Sequence, residues 1–448
     1  TKEKGYSLIS IDDLVSGLEA YPEPEIHHDG DASITAKNLA PFLIKFLTEL
    51  SEGNTFYDGI YSVIEGTHID FEQIMELYKK VNEHKNIDIN KIEHINYVDK
   101  SKLTSEKLEE YSKIGDEVIR NGEYAVVTMA GGQGTRLGHK GPKGTFKVIV
   151  NNEEKYLFQI IVESLQEANN KYNVIIPWYI MTSSENKKQT VEFLEEKNFF
   201  GYPKEKVKFF VQGNLPLVDQ KGELIIDKNC LIKEASDGNG SIYQSMKKDG
   251  IIEDMKKNNI KWVFVGGVDN ILLKIVDPVL TGLTISENNK ISSKSVVKTN
   301  PKEKVGVFCK IAGKPKVIEY TELPEEMACK RDENGELIFG EVNILSHLYS
   351  IDALEELSNK KLPYHVAFKK ANYLDNNGNF IEVKEPNAYK FEAFIFDAFE
   401  EYSDMSILRV KREEEFAPIK NAEGQDSPET ACKLYTDFVN SKNKINAV

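Results

Sequence analysis

The chain has 448 residues, which is enough for more than one domain with a large buried core. Its formal net charge of −15 at pH 7 argues against a nucleic-acid-binding surface, because such domains are usually basic. No apolar run approaches the roughly twenty residues that span a bilayer, and the first residues lack the apolar stretch of a secretory signal peptide. The cysteines lie far apart and form no Cys-x-x-Cys pair: Cys230, Cys309, Cys329 and Cys432. We therefore expect a cytoplasmic protein without a membrane or nucleic-acid partner.

The first part of the chain, residues 1–103, predicts a helical N-terminal region. Apolar residues recur there at the spacing of one helix face, or follow a capping serine, in three stretches: Ser10–Leu18, Leu39–Leu50 and Phe71–Val81. His27 and His28 have no cysteine or further histidine nearby, so a solvated loop is favoured over a metal site.

Residues 104–383 predict a central domain in which strands and helices alternate. Apolar β-type runs occur at Ala125–Met129, Trp178–Thr182, Val207–Val211, Trp262–Val268, Val305–Lys310, Lys316–Tyr320 and Leu337–Phe339. Helical patterns occur at Thr104–Arg120, Leu157–Asn169, Lys187–Lys197, Ile242–Asn258 and Ile351–Ser358. This alternation predicts an α/β fold with a doubly wound, mostly parallel sheet, whose ligands bind at the carboxyl ends of the strands.

Residues 384–448 predict a small C-terminal lobe. Helical patterns occur at Phe391–Glu401 and Thr430–Ser441, and the stretch Pro418–Pro428 between them is extended, polar and rich in turn residues.

The most informative stretch is the glycine-rich loop after the first strand of the central domain, within Val126–Val148 (VVTMAGGQGTRLGHKGPKGTFKV). Glycines let backbone N–H groups approach an anion closely, because no side chain stands in the way. Arg136 and Lys143 lie in the same loop and can neutralise phosphate charge. The loop therefore predicts a phosphate-binding site.

Three familiar glycine loops do not fit this sequence. A P-loop ends in Gly-Lys-Ser/Thr, whereas Gly144 follows Lys143. The dinucleotide motif needs a third glycine where this chain has Leu137. A protein kinase would also carry His-Arg-Asp and Asp-Phe-Gly, and the sequence contains neither.

The remaining pattern, Gly-Gly-x-Gly-Thr-Arg-Leu-Gly followed by Pro-Lys, resembles the signature loop of sugar-nucleotide pyrophosphorylases. From about residue 104 to 432 the chain is similar to the UDP-N-acetylhexosamine pyrophosphorylases of the wider UDP-sugar pyrophosphorylase family. Further motifs carry the resemblance: Gln212–Pro216, Asp237–Gly240, Val268–Lys274, Lys298–Pro301, Val305–Val307, Glu319–Tyr320, Asn343–Ile344, Phe394–Asp397 and Pro418–Ala422. The resemblance implies a Rossmann-like nucleotidyltransferase that converts UTP and a sugar 1-phosphate into a UDP-sugar and pyrophosphate.

Such chemistry explains why the sequence shows no catalytic triad. A sugar phosphate is already ionised at neutral pH, so the reaction needs alignment and neutralisation of phosphate charge rather than a general base. The resemblance implies Mg²⁺, or Mn²⁺, held by Asp269 at the end of an apolar strand. A helix N-cap is the competing interpretation of Asp269.

The resemblance also assigns residues to the nucleotide. Catalytic roles on the phosphates fall to Arg136, Lys143 and Lys420, and nucleotide-binding roles to Met129, Ala130, Gly131, Gly132, Gln212, Gly238 and Lys390. An amide such as that of Gln212 can both donate to and accept from a pyrimidine edge. Plain alternatives stay open, namely a polar turn residue for Gln212 and surface lysines for Lys143, Lys390 and Lys420.

The matching sugar-pocket positions are Asn239, Gly306, Glu319, Tyr320, Asn343, Phe394 and Phe396. Ordinary core packing is an equal interpretation of the two phenylalanines. Ser236 and Val342 replace a proline and a glycine that are usual in N-acetylhexosamine-specific members. N-acetylglucosamine 1-phosphate is therefore the favoured substrate, with glucose 1-phosphate as the alternative and a catalytically silent nucleotide-sugar sensor as a remote one.

Overall fold

The computed structural model describes residues 71–81, 91–229, 231–375 and 378–446. The predicted helices Ser10–Leu18 and Leu39–Leu50 lie outside the described residues, as do His27 and His28. None of the helices in the described ranges is both long and apolar enough to cross a bilayer.

Strands and helices alternate through most of the described chain. The strands are β1 (Ile92–Glu93), β2 (Val98–Asp99), β3 (Tyr124–Met129), β4 (Lys147–Val150), β5 (Glu153–Tyr156), β6 (Trp178–Thr182), β7 (Val207–Val211), β8 (Asn214–Pro216), β9 (Val218–Asp219), β10 (Glu234–Ser236), β11 (Trp262–Gly267), β12 (Ile291–Val297), β13 (Val307–Ile311), β14 (Lys314–Ile318), β15 (Glu341–Ser350), β16 (His365–Lys369), β17 (Tyr373–Leu374), β18 (Phe380–Ile381), β19 (Ala388–Glu392) and β20 (Ser406–Arg409). The α-helices are α1 (Phe71–Lys79), α2 (Ser105–Arg120), α3 (Leu157–Tyr172), α4 (Lys187–Glu196), α5 (Ile242–Lys248), α6 (Ile251–Lys257), α7 (Pro278–Ser286), α8 (Glu325–Cys329), α9 (Ile351–Ser358), α10 (Arg412–Glu415) and α11 (Pro428–Asn446).

The chain divides into two compact units. Of the described residues, the larger unit comprises 91–213, 238–363 and 393–446, and the smaller comprises 71–81, 214–229, 231–237, 364–375 and 378–392. The predicted boundaries after residues 103 and 383 do not coincide with these units. Strands β1 and β2 precede residue 104 yet pair with β13 and β20 of the larger unit. Residues 384–392, assigned to a C-terminal lobe, belong to the smaller unit, because β19 pairs there with β9 and β16.

The larger unit is built on one mixed sheet with the strand order β2-β20-β12-β15-β11-β3-β6-β7. All neighbours along this path are parallel except those of β15, which runs antiparallel to both β12 and β11. Every residue of β3 and of β6 is buried, as expected for central parallel strands covered on both faces. The predicted α/β fold with a mostly parallel sheet is confirmed.

Three predicted elements differ from the structure. The helix predicted over Ile242–Asn258 is broken into α5 and α6 at Gly250, whose φ of +67° is left-handed. The helix predicted over Phe391–Glu401 begins as strand β19 and continues as a 3₁₀ helix over Ile395–Glu401. The strand predicted at Leu337–Phe339 is reduced to a single bridge from Leu337 to Arg331.

The smaller unit has short antiparallel ladders. Strand β8 pairs with β10, β19 lies between β16 and β9, and β17 pairs with β18. One small core in this unit contains Ile74 of α1, Val218 of β9 and Phe391 of β19.

Candidate active site

The glycine-rich loop leaves β3 at the carboxyl edge of the larger sheet. The Ala130 N–H donates to the Met181 carbonyl of β6 at 2.8 Å, and the Val268 N–H donates to the Met129 carbonyl at 3.2 Å. The start of the loop therefore lies in the middle of the sheet, where hydrogen bonds to β6 and to the residue after β11 fix its backbone. It closes on itself through a 3.0 Å hydrogen bond from the Lys143 N–H to the Gly132 carbonyl.

A residue that the sequence analysis missed supports the start of this loop. Asn186 is fully buried, and its Nδ2 donates to the Ala130 carbonyl at 2.9 Å and to the Gly132 carbonyl at 3.3 Å. Its Oδ1 accepts from the Ser183 N–H at 2.9 Å. A lone asparagine belongs to no motif, and its only sequence signal is its position four residues after the end of β6.

Gln212 lies beside the loop, as predicted. Its N–H donates to the Thr182 carbonyl at 2.9 Å, which continues the pairing of β6 with β7. A Cβ on Gly131 would stand 2.5 Å from Gln212 Oε1, so this close approach requires glycine at position 131. The structure thus brings together Met129, Ala130, Gly131, Gly132 and Gln212.

Lys143 and Asp269 form an ion pair, although they are far apart in sequence. Lys143 Nζ lies 3.2 Å from Asp269 Oδ2, and the two side chains are 16% and 26% exposed. A free surface lysine is therefore excluded at position 143. Asp269 is not a helix N-cap either, because it follows β11 in a turn and the next helix begins at Pro278 with Asp277 as its cap.

Residues 417–420 lie beside the ion pair of Lys143 and Asp269. The Ile419 N–H donates to the Asp269 carbonyl at 2.9 Å, and the Ala417 N–H donates to Asn270 Oδ1 at 2.9 Å. These bonds place Lys420 near Asp269, close enough for its charge to act on that carboxyl. Lys420 also lies 3.8 Å from Asp426, and its side chain is 43% exposed.

Arg136 occupies the exposed 3₁₀ turn Thr135–Leu137 of the loop, which ends at Gly138 in a left-handed conformation (φ +69°). It makes no hydrogen bond or ion pair with the rest of the described chain. Its guanidinium is therefore available to an external anion.

The Asp269 carboxyl is ionised at neutral pH. Burial alone would raise its pKa, but the ammonium groups of Lys143 and Lys420 outweigh burial and hold the pKa below its ordinary value. Within the described ranges, no three His, Cys, Asp or Glu side chains gather in a metal-binding group. An ionised, partly exposed carboxylate still fits Mg²⁺, which is commonly held by one or two carboxylates together with substrate phosphates.

The Gly238–Gly240 turn packs against the chain at residues 393–395. A Cβ on Gly238 would stand 2.2 Å from the Ala393 carbonyl oxygen, and Gly238 has a φ of +92° that other residues rarely adopt. The Ile395 N–H donates to Asn239 Oδ1 at 2.9 Å. Asn239 therefore uses its carbonyl oxygen to position the chain that carries Phe394 and Phe396, which leaves its amide NH₂ for other partners.

Three predicted sugar-pocket residues lie close together around β13 and β15. The Asn343 N–H donates to the Gly306 carbonyl at 3.0 Å, and a Cβ on Gly306 would stand 2.9 Å from Glu319 Oε1. Tyr320, next to Glu319, is 45% exposed. Val342 is fully buried and belongs to the main hydrophobic core.

Phe394 and Phe396 stack on each other with ring centroids 5.1 Å apart. Phe396 is buried, whereas Phe394 is partly exposed, so only Phe394 is placed to offer an aromatic surface to a ligand. Lys390 lies in β19 of the smaller unit, where its Nζ pairs with Glu392 Oε1 at 2.6 Å.

Comparison with known proteins agrees with the fold. A model of the UTP–glucose-1-phosphate uridylyltransferase family matches residues 69–434. The UDP-N-acetylglucosamine pyrophosphorylase of Saccharomyces cerevisiae is 39% identical over 74% of this chain and 72% of the yeast protein. UDP-N-acetylglucosamine diphosphorylase 2 of Arabidopsis thaliana is 37% identical over 75% of this chain and 70% of the plant protein.

Solved structures give the same picture. The uridine diphosphate N-acetylglucosamine pyrophosphorylase of Trypanosoma brucei aligns with a TM-score of 0.74 at 28% identity, covering 89% of this chain and 83% of that one. A UDP-glucose pyrophosphorylase of Leishmania major aligns with a TM-score of 0.61 over 78% of this chain and 72% of that one. At 17% identity the second likeness concerns the fold alone.

Proposed function

Because the chain belongs to the UTP–glucose-1-phosphate uridylyltransferase family, we propose that it makes UDP-N-acetylglucosamine and pyrophosphate from UTP and N-acetylglucosamine 1-phosphate. The ion pair between Lys143 and Asp269 is the observation that carries this proposal, because it places a cation and a carboxylate beside the phosphate-binding loop. A silent sensor would need neither this pair nor an Arg136 that makes no ion pair with the described residues.

The reaction is a substitution at the α-phosphorus of UTP. A phosphate oxygen of the sugar 1-phosphate forms the new P–O bond while the bond to the departing pyrophosphate breaks. The attacking oxygen is already ionised, so no protein base has to remove a proton. The residues Arg136, Lys143 and Lys420 offset the negative charge that shifts from the α-phosphate to the leaving group.

The remaining groups align the two substrates. The backbone from Met129 to Gly132 and the amide of Gln212 hold the uridine, and the Asn343 and Glu319 side chains bind sugar hydroxyls. Asp269 would hold the divalent ion, which supplies positive charge to the UTP phosphates when it is bound.

Support for the acetylated sugar comes from relatives and from one side chain. The yeast and plant relatives carry N-acetylglucosamine in their names. Phe394 presents a partly exposed ring on the chain that Asn239 positions. Such a ring suits the methyl of an acetyl group.

Glucose 1-phosphate is the second candidate, because the matching family is described by that substrate. Pyrophosphate release with UTP and Mg²⁺ tests both, with the two sugar phosphates compared at equal concentration. We expect a higher kcat/KM for N-acetylglucosamine 1-phosphate. The reverse preference would assign the chain to glucose, and release from neither sugar would refute uridylyl transfer.

The matched variants Lys143→Met and Asp269→Asn test the mechanism. Both keep side-chain size and remove one charge of the pair, so each should lower kcat by roughly a hundredfold or more. Retention of near-wild-type turnover in both variants would exclude the proposed roles.

A further inference from the structure

A buried charge cluster lies next to the segment that carries Lys420. Lys294, in the middle of β12, is completely buried, and its Nζ lies 2.8 Å from Asp277 Oδ2 and also contacts Glu415 Oε2. The same ammonium donates to the Lys274 carbonyl at 3.2 Å. All the hydrogen-bonding positions of this ammonium are thereby used within the protein.

Two further lysines form ion pairs with the carboxylates of this cluster. Lys100 Nζ lies 3.5 Å from Asp277 and 3.8 Å from Glu415, and Lys274 Nζ lies 3.6 Å from Asp277. Burial would raise the pKa of the Asp277 carboxyl, but Lys274, Lys294 and Lys100 together hold that pKa well below its usual range. The Asp277 carboxyl is therefore ionised at neutral pH.

Glu415 links this cluster to the candidate active site. Its backbone carbonyl accepts from Asn270 Nδ2 at 2.8 Å, and Asn270 is the residue next to Asp269. From Glu415 the chain runs through Ala417 and Ile419, which bond to Asn270 and Asp269, and reaches Lys420. We call residues 415–420 the lysine-bearing segment.

We propose that Lys294 is a positioning residue for uridylyl transfer. Through Glu415 its ammonium fixes the lysine-bearing segment and so sets the position of Lys420 relative to Asp269. This inference rests on the proposed function, in which both residues act on the phosphates.

The physical reason lies in the difference between ionic and apolar anchors. A buried ion pair gains little net stability, because desolvation of the charges offsets their attraction. Neither partner can shift, however, without leaving an uncompensated charge in the interior, and that state is strongly disfavoured. An apolar side chain at position 415 could shift within an apolar core at little cost. The Glu415 carboxylate cannot, because it has to stay in contact with the Lys294 ammonium.

A double-mutant cycle in turnover tests the proposal. Lys294→Met keeps an unbranched side chain one atom shorter and removes its charge. It should lower kcat by about ten- to a hundredfold, since a shift of about 1 Å in a reacting group can cost a hundredfold. In a Lys420→Ala background the same change should cause no further loss of kcat, because Lys294 acts through Lys420. If the loss of kcat in the double variant equals the product of the losses in the two single variants, the proposal is wrong.

The control separates positioning from general destabilisation. Leu283→Ala removes a fully buried side chain from α7 and should lower the melting temperature without changing kcat. If Lys294→Met fails to fold, Glu415→Gln takes its place in the same cycle, because it weakens the pairing while keeping a hydrogen-bond acceptor. A loss of kcat in Leu283→Ala that matches the loss in the cluster variants would also count against the proposal.

A second readout does not depend on catalysis. The Ala417 and Ile419 N–H groups are bonded to residues 269–270, so hydrogen exchange reports directly whether the lysine-bearing segment is held. These amides should exchange at least tenfold faster in Lys294→Met than in Leu283→Ala or the wild type. Unchanged hydrogen exchange in Lys294→Met would refute the positioning role, whichever substrate the enzyme uses. A wild-type protein without uridylyltransferase activity would refute only the proposed function.

Discussion

The side-chain amide of Asn186 donates a 2.9 Å hydrogen bond to the backbone carbonyl of Ala130, at the point where β3 becomes the glycine-rich loop. Since Asn186 is fully buried, this contact is shielded from water and holds the backbone that is proposed to bind uridine. An asparagine is suited to the position because it donates to two carbonyls and accepts from the Ser183 N–H at the same time.

The variant Asn186→Asp tests this contact. A carboxylate of the same shape would face the carbonyls of Ala130 and Gly132 without a proton to donate, at a cost of about 1–3 kcal/mol for the lost donor alone. We expect a lower melting temperature and a higher KM for UTP. The matched control, Asn170→Asp on the exposed side of α3, should change neither quantity. An unchanged KM in Asn186→Asp would show that the loop does not depend on this support.

A second prediction concerns the contact between Gly131 and Gln212. In Gly131→Ala the new methyl would stand 2.5 Å from Gln212 Oε1, so the amide has to move. The KM for UTP should rise by roughly tenfold, the effect of losing about one hydrogen bond to the nucleotide. In a Gln212→Ala background, steady-state kinetics should show a smaller effect of Gly131→Ala, because the clash is gone. Equal effects in both backgrounds would mean that the methyl blocks the nucleotide directly.

Arg136 should matter to catalysis and not to folding. Its side chain is exposed and makes no hydrogen bond or ion pair within the described ranges, so Arg136→Ala should leave the melting temperature unchanged. Turnover should fall by roughly a hundredfold, as expected when one donor to a developing phosphate charge is lost. Lys140→Ala, an exposed cation in the same loop, is the matched control and should retain turnover in the pyrophosphate-release assay.

His347 should make the protein sensitive to acid. It is fully buried between β11 and β12, its Nδ1 lies 2.7 Å from Ser293 Oγ, and burial lowers the pKa of its imidazole to about 3. The unfolded chain binds a proton below about pH 6.5, whereas the folded chain does not. The stability due to the neutral ring is therefore fully present above pH 6.5, and it declines by about 1.4 kcal/mol for each pH unit below that value.

The measurement is the free energy of unfolding in urea from about pH 7.5 to about pH 5.5. The variant His347→Leu should lose stability less steeply over this range than the wild type, even if its stability at pH 7.5 is lower. His94→Gln changes an exposed histidine and should keep the wild-type slope. Identical slopes in all three proteins would mean that His347 is protonated in the folded state.

The sequence predicts the parallel part of the fold well, because strands buried on both faces are continuous apolar runs. For β6, which is buried throughout, the apolar run predicts Trp178–Thr182, and the structure has the same bounds. Phe391 shows where this reasoning fails. Its apolar neighbours fit a helix as well as a strand, and only pairing with β16, a contact distant in sequence, makes it β-structure.

The candidate active site, too, can be predicted from the sequence only in part. Motif residues such as Lys143 and Asp269 could be placed together, since both follow strands that end at one edge of the sheet. Asn186 and Lys294 could not, because their roles depend on which backbone carbonyl or carboxylate folding brings to them. The position of a single asparagine or lysine in the sequence does not indicate which residue it will contact in the fold.

The bonds from Ala417 and Ile419 to residues 269–270 also set the order in which this protein can become active during translation. The glycine-rich loop and Asp269 leave the ribosome long before the lysine-bearing segment is made. Until then, the Lys294 ammonium lacks Glu415 as a partner, and the phosphate site lacks Lys420. A nascent chain can thus build most of its parallel sheet early, while uridylyl transfer has to wait until the lysine-bearing segment has been made.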